Sequence, residues 1–240
     1  MKIALIGYGK MGKTIEALGK AQGHSFPLII DENNLGDLTA ENLKGIEAAI
    51  EFTIPAAAPE NILACLNLGV PVVVGTTGWN AELPEIEKLC LEKGGCLFHA
   101  SNFSIGVNIL FAMNRHLARI MDQFPAYRVS MEEVHHIHKL DAPSGTAISL
   151  AEQILEESRS LNGWKLKEEQ GGEGDALSIE SIREGEVKGR HTISYESELD
   201  TISLSHDAKS RDAFAAGALL AAEFIRNKRG IFGMQDLLKL

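Results

Sequence analysis

The apolar positions of the first hundred residues fall into short strand-like runs separated by segments with helical spacing. The predicted strands are Lys2–Ile6, Phe26–Ile30, Ala48–Thr53, Pro71–Val74 and Cys96–His99. Three helices are predicted between these strands. The first carries Met11, Ile15 and Leu18 on one face, and the other two span about Pro59–Leu68 and Leu83–Leu91. Strands that alternate with helices favour a doubly wound α/β domain with a parallel sheet.

The pattern changes after Ser104. A long amphipathic helix is predicted from the spacing of Val107, Leu110, Met113, Leu117 and Ile120. A strand at Tyr127–Met131, a helix at Ala147–Ser158 and a mobile loop at Leu161–Asp175, with Gly171, Gly172 and Gly174, are predicted next. Three strands follow, at Leu177–Arg183, Gly189–Tyr195 and Thr201–Ser205. The chain ends with a predicted helix at Arg211–Arg226 and a last short helix at Ile231–Leu238. Strands with little helix between them predict an α+β domain with a mostly antiparallel sheet.

Composition and charge limit the function classes. The chain has 240 residues and a formal net charge of −10, which argues against nucleic acid and anionic membrane as general partners. The N-terminal strand passes directly into glycines, so we expect no signal peptide, and no apolar run approaches the length of a membrane span. Cys65, Cys90 and Cys96 lack metal-binding spacing and are expected to be reduced core residues of a cytoplasmic protein.

A glycine-rich turn follows the first predicted strand. The residues Gly7, Tyr8, Gly9, Lys10, Met11 and Gly12 form a G-x-G-x-x-G motif between a strand and a helix. Such glycines permit a tight turn and close approach of the backbone to a pyrophosphate at the start of the helix. Asp31 ends the second strand, at the distance expected for an acid that binds the adenosine ribose.

Small or polar residues follow the other predicted strands of this half. The carboxyl ends of strands line the ligand crevice of a doubly wound sheet, so these residues are predicted to bind a nicotinamide dinucleotide. They are Phe52, Thr53, Gly75, Thr76, Thr77, Ala100, Ser101, Asn102 and Phe103. Any one of these segments alone is equally well explained as an ordinary loop between a strand and a helix.

The most unusual stretch runs from Glu132 to Ala147 and holds three histidines, a lysine and an aspartate between His135 and Asp141. It begins where a strand ends and leads into a helix for which Ser144 is a suitable N-cap. The amides of Gly145 and Thr146 would then point out of the first turn, where carboxylates or phosphates bind. The stretch predicts an anion held beside imidazoles and an ammonium group.

Zinc is an alternative for these histidines, because His136 and His138 would share a face of a strand. No cysteine is near, Lys139 would repel a cation, and a catalytic zinc needs three protein ligands. We therefore expect no metal. The residues favour hydride transfer to a small, acidic, unsaturated substrate, with the proton supplied by histidine or lysine.

The stretch Val134–Ala147 resembles the signature of the 4-hydroxy-tetrahydrodipicolinate reductase family of the bacterial diaminopimelate and lysine pathway. Gly7–Gly12, Gly75–Thr77, Ser101–Val107, Ser205–His206 and Ser210–Arg211 support the resemblance, which spans nearly the whole chain. It implies reduction of 4-hydroxy-tetrahydrodipicolinate, a small dicarboxylate, with hydride from NADH or NADPH.

The resemblance also implies roles for individual residues. His135 would be the general acid and base, Lys139 a proton donor, and His136 with the Gly145 and Thr146 amides would hold a substrate carboxylate. Residues 1–104 and 212–240 would form the dinucleotide-binding domain. Residues 105–211 would form the substrate domain, whose sheet joins the subunits of a homotetramer.

Asp31 is followed by Glu32-Asn33-Asn34, without the basic residue that would receive a 2′-phosphate. We therefore expect NADH to serve at least as well as NADPH, although Lys10 could partly substitute for that residue. A related reductase acting on another cyclic imine or dicarboxylate is an alternative. A regulatory protein that binds a dinucleotide without oxidising it is a second.

Overall fold

The computed structural model describes residues 1–168 and 175–240, which form two compact units. The first unit comprises Met1–Ile105 and Asp212–Leu240, and the second comprises Gly106–Arg211. The glycines predicted to make a mobile loop, at positions 171, 172 and 174, lie outside the described residues. Within the described part of the chain, no helix is long and apolar enough to cross a membrane.

The first unit contains a six-stranded parallel sheet with helices. Numbered in chain order, its strands are β1 (Lys2–Ile6), β2 (Ser25–Ile30), β3 (Ala48–Glu51), β4 (Val72–Val74), β5 (Cys96–His99) and β11 (Gly230–Phe232). Its helices are α1 (Lys10–Ala21), α2 (Ala58–Asn67), α3 (Leu83–Glu92), α6 (Asp212–Ile225) and α7 (Met234–Leu238). The strand order is β11-β5-β4-β3-β1-β2, so the order reverses beside β1, as in nucleotide-binding folds of this class.

The apolar runs of this sheet are explained by burial on both faces. Along β1, Ala4 and Ile6 pack into one apolar cluster, whereas Ile3 and Leu5 pack into another. Successive side chains of a strand point to opposite faces, so a strand covered on both sides is apolar at every position. This confirms the parallel α/β domain predicted from the uninterrupted apolar runs.

The second unit has a five-stranded sheet of order β10-β9-β6-β8-β7. Its strands are β6 (Arg128–His135), β7 (Gly163–Leu166), β8 (Ala176–Arg183), β9 (Arg190–Glu196) and β10 (Thr201–Asp207), and its helices are α4 (Ile105–Met121) and α5 (Gly145–Glu157). One apolar cluster joins the sheet to both helices; it includes Leu110, Met131, Leu150, Ile179 and Ile193.

The prediction of a mostly antiparallel second sheet is wrong, because the sheet is mixed. β9 pairs antiparallel with β6 and β10, whereas β8 pairs parallel with β6 and β7. Two parallel strands need a crossover connection, and α5 lies in the connection between β6 and β8. The sequence pattern identifies strands but does not assign their neighbours.

The sequence pattern did not predict two short strands, β7 and β11. β7 lies within the stretch predicted as a loop, and β11 contains Ile231 and Phe232, which were predicted to begin the last helix. β11 pairs with β5 at the edge of the first sheet, and α7 begins only after Gly233. Pairing with an existing strand gives these residues hydrogen-bond partners that a local pattern cannot reveal.

The long helix α4 was correctly predicted, but its buried face differs from the predicted one. Met113 and Ile120 are exposed, while Asn114, Ala118 and Met121 are buried. Asn114 is accommodated because its side-chain amide donates to the carbonyl oxygen of Leu150 at 3.0 Å and to Oε1 of Gln153 at 3.1 Å. A buried hydrogen-bonded asparagine is invisible to a hydrophobic periodicity.

Candidate functional site

The glycine-rich turn of the first unit is shaped by close backbone contacts. Gly7 has φ +99°, and a Cβ there would lie 2.0 Å from the carbonyl oxygen of Phe52. A Cβ on Gly12 would lie 2.2 Å from the carbonyl oxygen of Gly7. Helix α1 begins at Lys10, and its N-cap, Gly9, supplies no side-chain hydrogen bond. Only glycine therefore fits at positions 7 and 12. The amides of the first turn of α1 lack an intrahelical partner.

The loops after β3 and β4 hold each other in place. The amide of Thr53 donates to Oγ1 of Thr76 at 2.7 Å, and the amide of Gly75 donates to the carbonyl oxygen of Glu51 at 2.9 Å. A Cβ on Gly75 would lie 2.0 Å from the ring of Phe52. Thr77 follows in the same loop. These predicted residues therefore lie in two loops that pack against each other at the carboxyl ends of β3 and β4.

The predicted residues after β5 divide into exposed and buried groups. Ala100, Ser101 and Asn102 are partly or fully exposed, whereas the Phe103 side chain is only 2% exposed. The rings of Phe103 and Phe52 lie 5.7 Å apart. Phe103 thus belongs to the core: a Cβ on Gly217 of α6 would lie 1.8 Å from its carbonyl oxygen.

Tyr8 and Asp31 have partners of their own. The Tyr8 hydroxyl donates to Glu16, and Oδ1 of Asp31 accepts the Asn33 amide at 2.8 Å. Every predicted cofactor residue follows the carboxyl end of one of β1 to β5, a shared position that suits a nucleotide site. Contact of each residue with a nucleotide stays a prediction.

The histidine stretch of the second unit begins on β6. Met131, Glu133 and His135 alternate along this strand and share one face, which explains why all three are buried. Met131 packs in the apolar cluster of the unit. Glu133 and His135 continue the same face beyond that cluster, where buried polar groups require partners.

Glu133 is fully buried, and one of its carboxylate oxygens accepts three hydrogen bonds. Its Oε1 accepts from Ser181 Oγ at 2.9 Å, from the Ser144 amide at 3.1 Å and from Arg183 Nη2 at 3.2 Å. Its Oε2 lies 3.2 Å from Nδ1 of His135. Burial alone would raise the pKa of this carboxyl, but the neighbouring His135 and the hydrogen bonds from Ser144 and Ser181 outweigh it, so the pKa lies well below the usual range. Glu133 is therefore a buried anion.

His191 lies beside this anion. Its Nε2 is 3.1 Å from Ser144 Oγ and 3.8 Å from Oε2 of Glu133, and its ring centroid lies 5.2 Å from that of His135. Burial, followed by the positive charge of His135, lowers the pKa of His191 to about 4. His191 is thus a neutral imidazole near pH 7.

Lys139 is close to Asp141 rather than free. Its Nζ lies 2.8 Å from each carboxylate oxygen of Asp141, and the hydrogen bond from Lys139 lowers the Asp141 pKa. Arg183 also holds this loop, because its guanidinium donates to the carbonyl oxygens of Lys139 at 3.3 Å and Asp141 at 2.5 Å. The same guanidinium binds Glu133, so Arg183 joins the loop to the buried carboxylate.

His136 and His138 have different surroundings. Nε2 of His136 lies 3.5 Å from Nη2 of Arg211, and burial, followed by the Arg211 charge, lowers the His136 pKa. The His138 side chain is 70% exposed and lies 3.4 Å from Glu186. The two imidazoles considered as a zinc pair therefore face different partners, with ring centroids 6.1 Å apart.

Helix α5 begins as predicted. Ser144 is its N-cap, and Ser144 Oγ accepts from the Ala147 amide at 3.3 Å. Gly145 and Thr146 occupy the first turn, and a Cβ on Gly145 would meet no atom within 4 Å. The space beside these two amides can therefore admit a ligand carboxylate. Binding there stays a prediction.

A different trio has the residue types of a metal site. Glu133, His135 and His191 are buried, and their ligand atoms lie within 4.8 Å of one another. Two imidazoles and a carboxylate can bind zinc. Arg183 on the same carboxylate opposes a cation, and Oε1 already accepts three hydrogen bonds. We therefore assign the carboxylate to the histidines and Arg183, and keep the expectation of no metal.

Sequence reasoning omitted Glu133, Arg183 and His191 from the site. The predicted strand ended at Met131, whereas β6 continues to His135; extending the strand would have placed Glu133 on the same face as His135, two positions before it. Arg183 and His191 lie on β8 and β9, and only strand pairing brings them to β6. No local pattern marks them.

Comparison with known proteins identifies the family. A sequence model described as "Dihydrodipicolinate reductase, N-terminus" matches residues 1–103, and one described as "Dihydrodipicolinate reductase, C-terminus" matches residues 106–238. The chain belongs to the dihydrodipicolinate reductase family. Its first unit is the nucleotide-binding Rossmann domain of this family, which supports binding of a pyridine nucleotide.

Relatives of this dihydrodipicolinate reductase family member span the chain. The 4-hydroxy-tetrahydrodipicolinate reductase of Christiangramia forsetii is 45% identical over 240 residues, covering 99% of this chain and 98% of the relative. The Methanopyrus kandleri enzyme of the same name is 40% identical, covering 81% and 72%. A dipicolinate-bound dihydrodipicolinate reductase from Paenisporosarcina sp. TG-14 shares the fold, with a TM-score of 0.79, 24% identity and 98% coverage of each chain.

Proposed function

We propose that the protein reduces 4-hydroxy-tetrahydrodipicolinate with a reduced nicotinamide dinucleotide, in diaminopimelate and lysine biosynthesis. Membership of the family over both halves, with 45% identity to a reductase of this name across the full length, carries the proposal. The arrangement of the second unit supports it chemically. A buried anion, two imidazoles and a lysine surround the end of β6, next to the start of α5.

The substrate has carboxylates, and the chain offers two kinds of group for them. The first is the pair of amides at Gly145 and Thr146, where the helix start favours negative charge. The second is the pair of side chains His136 and Lys139. Lys139 would exchange its contact with Asp141 for a substrate carboxylate, because both are anions at the same ammonium group.

When bound, the nicotinamide supplies the hydride. Reduction to tetrahydrodipicolinate also releases the 4-hydroxyl group as water, so the reaction takes up one proton besides the hydride, and we assign this proton to His135. An imidazole titrates near neutral pH, so histidine can both give and regain a proton, with an unperturbed pKa of about 6.5. Lys139 would stabilise the negative charge that develops and serve as a second donor.

NADH is expected to serve at least as well as NADPH. The Asp31 carboxylate would accept hydrogen bonds from the ribose 2′-hydroxyl and repel a 2′-phosphate. Its Oδ1 is oriented by the Asn33 amide at 2.8 Å, so the acid is already held in a turn. A homotetramer and a cytoplasmic location also stay predictions, and mass measurement in solution tests the first.

A steady-state assay with freshly generated substrate and each cofactor tests the proposed function. We expect NADH oxidation that depends on the substrate and is inhibited competitively by pyridine-2,6-dicarboxylate. A protein that binds NADH without oxidising it would instead be a dinucleotide sensor. Oxidation with another cyclic imine, but not with this substrate, would indicate a different reductase.

A further inference from the structure

We propose that Glu133 positions His135 by accepting from its Nδ1, so that Nε2 is the nitrogen that gives the proton to the substrate. This inference rests on the proposed function, in which His135 is the acid. It adds a residue and an atom to that assignment.

Glu133 is a rigid acceptor. Oε1 receives three donors from two elements of the second unit: the Ser181 hydroxyl and the Arg183 guanidinium on β8, and the N-cap amide of α5. These contacts hold Oε1 in place. Among the described residues, Oε2 of Glu133 and Nδ1 of His135 are both buried without a hydrogen bond, and they lie 3.2 Å apart, so each is the nearest available partner of the other.

The register of the sheet explains this placement. Glu133 on β6 pairs with Ser181 on β8 and with His191 on β9. Directly opposed residues of neighbouring strands lie on the same face, so the three side chains form a row beneath the start of α5. His135 is two positions further along the same face, which brings its ring against the end of that row.

His191 does not compete for the charge of Glu133. Its Nε2 is 3.8 Å from Oε2, further than the 3.2 Å from Nδ1 of His135, and it is 3.1 Å from Ser144 Oγ. Burial keeps this imidazole neutral near pH 7. The carboxylate is thus available to stabilise the imidazolium form of His135, as an acid that orients a catalytic histidine does.

The other nitrogen of His135 lies beside the backbone of Gly189. A Cβ on Gly189 would lie 3.1 Å from Nε2 of His135, and Gly189 has φ +150°. Any larger residue at this position would therefore press a Cβ against Nε2, and glycine leaves that nitrogen uncovered on this side. Nδ1 faces an anion, so Nε2 is the nitrogen left for the substrate, and proton transfer from Nε2 leaves the neutral imidazole with its proton on Nδ1.

The variant Glu133→Gln tests the proposal sharply. Since Oε1 accepts three donors, the amide oxygen of glutamine would take the Oε1 position and its NH₂ group would face His135. That group donates, so the neutral imidazole would carry its proton on Nε2 instead of Nδ1. We expect kcat to fall on the order of 10²-fold or more, the scale for a histidine whose orienting acid is lost, with unchanged NADH affinity.

The direct readout is ¹⁵N NMR of the histidine rings, with His135 assigned by comparison with His135→Gln. In the unsubstituted enzyme at high pH we expect Nδ1 of His135 to be protonated, and in Glu133→Gln we expect Nε2 to be protonated. The first measurement needs no folded variant. Protonation of Nε2 in the unsubstituted enzyme would overturn the proposal.

Kinetic controls separate the possible failures. Glu132→Gln makes the same change one position earlier, at a carboxylate whose side chain is 40% exposed, and should leave kcat unchanged. The double variant Glu133→Gln/His135→Gln should be no slower than His135→Gln, because both changes remove one proton transfer. Additive losses would contradict the proposal.

Three further outcomes distinguish this proposal from the proposed function. Full activity of His135→Gln would leave the reductase function standing but overturn the acid role of His135 and with it the role of Glu133, since no acid would be left to position. An inactive His135→Gln with a fully active Glu133→Gln would overturn the role of Glu133 alone. Loss of activity in EDTA with recovery in Zn²⁺ would assign Glu133, His135 and His191 to a metal and also overturn it.

Discussion

Glu51 in the first unit and Glu133 in the second are both fully buried, yet their pKa values shift in opposite directions. Glu51 ends β3 and has neutral partners, the Thr53 hydroxyl and the Asn61 amide. Burial therefore dominates and raises the Glu51 pKa. Glu133 has His135 beside it together with two hydrogen-bond donors, the Ser144 amide and the Ser181 hydroxyl, and these lower its pKa. Equal burial has opposite effects because the partners differ.

This difference reflects how the two units build their candidate sites. The first unit uses backbone: glycines that permit close contacts, and loops joined by amide and hydroxyl hydrogen bonds. The second unit uses charged side chains around an ionised carboxylate. Changes of charge should therefore affect mainly the second site.

The largest expected effect is that of His135→Gln. We expect kcat to fall by roughly 10²-fold or more, the usual scale for a lost general acid. NADH affinity, measured by fluorescence titration, should be nearly unchanged, because the predicted cofactor residues lie in the other unit. A large loss of NADH affinity in this variant would break the proposed division between the two sites.

The opposite shifts of the two glutamates predict opposite dependences of stability on pH. The lowered pKa of Glu133 means that its ionised form stabilises the native state above about pH 4.5, the ordinary glutamate value, and that this contribution is lost as pH falls below it. Relative to the unsubstituted protein, Glu133→Gln should thus become less stable as pH rises from 3 to 5. At neutral pH we expect a loss of about 1–3 kcal/mol in the free energy of unfolding.

For Glu51 the sign is reversed. Its raised pKa means that the unfolded state ionises first, so the unsubstituted protein loses stability relative to Glu51→Gln as pH rises above about 4.5. Unfolding of each unit in urea can be followed separately by tryptophan fluorescence, because Trp79 lies in the first unit and Trp164 in the second. Single-tryptophan variants provide the two reporters. Parallel pH dependences in the two variants would contradict the comparison.

A smaller effect is expected from Gly145→Val. A Cβ at this position meets no protein atom, so the change should not disturb packing. It would crowd the approach to the helix amides, and we expect about a tenfold rise in both KM and the inhibition constant of pyridine-2,6-dicarboxylate, about 1.4 kcal/mol. Gly145→Ala should have an intermediate effect. An unchanged inhibition constant would remove these amides from the substrate site.

The smallest expected effect concerns cofactor choice. Removing the Asp31 carboxylate in Asp31→Ala should raise kcat/KM for NADPH relative to NADH by a few-fold, roughly 1 kcal/mol, because the predicted repulsion of the 2′-phosphate disappears. The neighbouring exposed acid provides a control, since Glu32→Gln changes the charge equally. Equal effects of both variants would indicate long-range charge rather than contact with the ribose.

Much of this protein was determined by local features of the sequence. The parallel sheet follows from apolar runs long enough for strands buried on both faces, and the glycine-rich turn from contacts that no other residue permits at Gly7. The start of α5 follows from Ser144, whose hydroxyl oxygen accepts a hydrogen bond from the amide of Ala147, three residues later. Each of these signals acts within a few residues or repeats with a fixed period.

Tertiary structure decided what the pattern left open. Ser181 and Arg183 lie 48 and 50 positions from Glu133 and reach it only because β8 pairs parallel with β6. Strand neighbours, and therefore the mixed sheet and the edge strand β11, depend on which backbone hydrogen bonds form across the sheet. The charge of Glu133 was decided in the same way, because the pKa of a buried carboxyl is set by the groups that the fold brings to it.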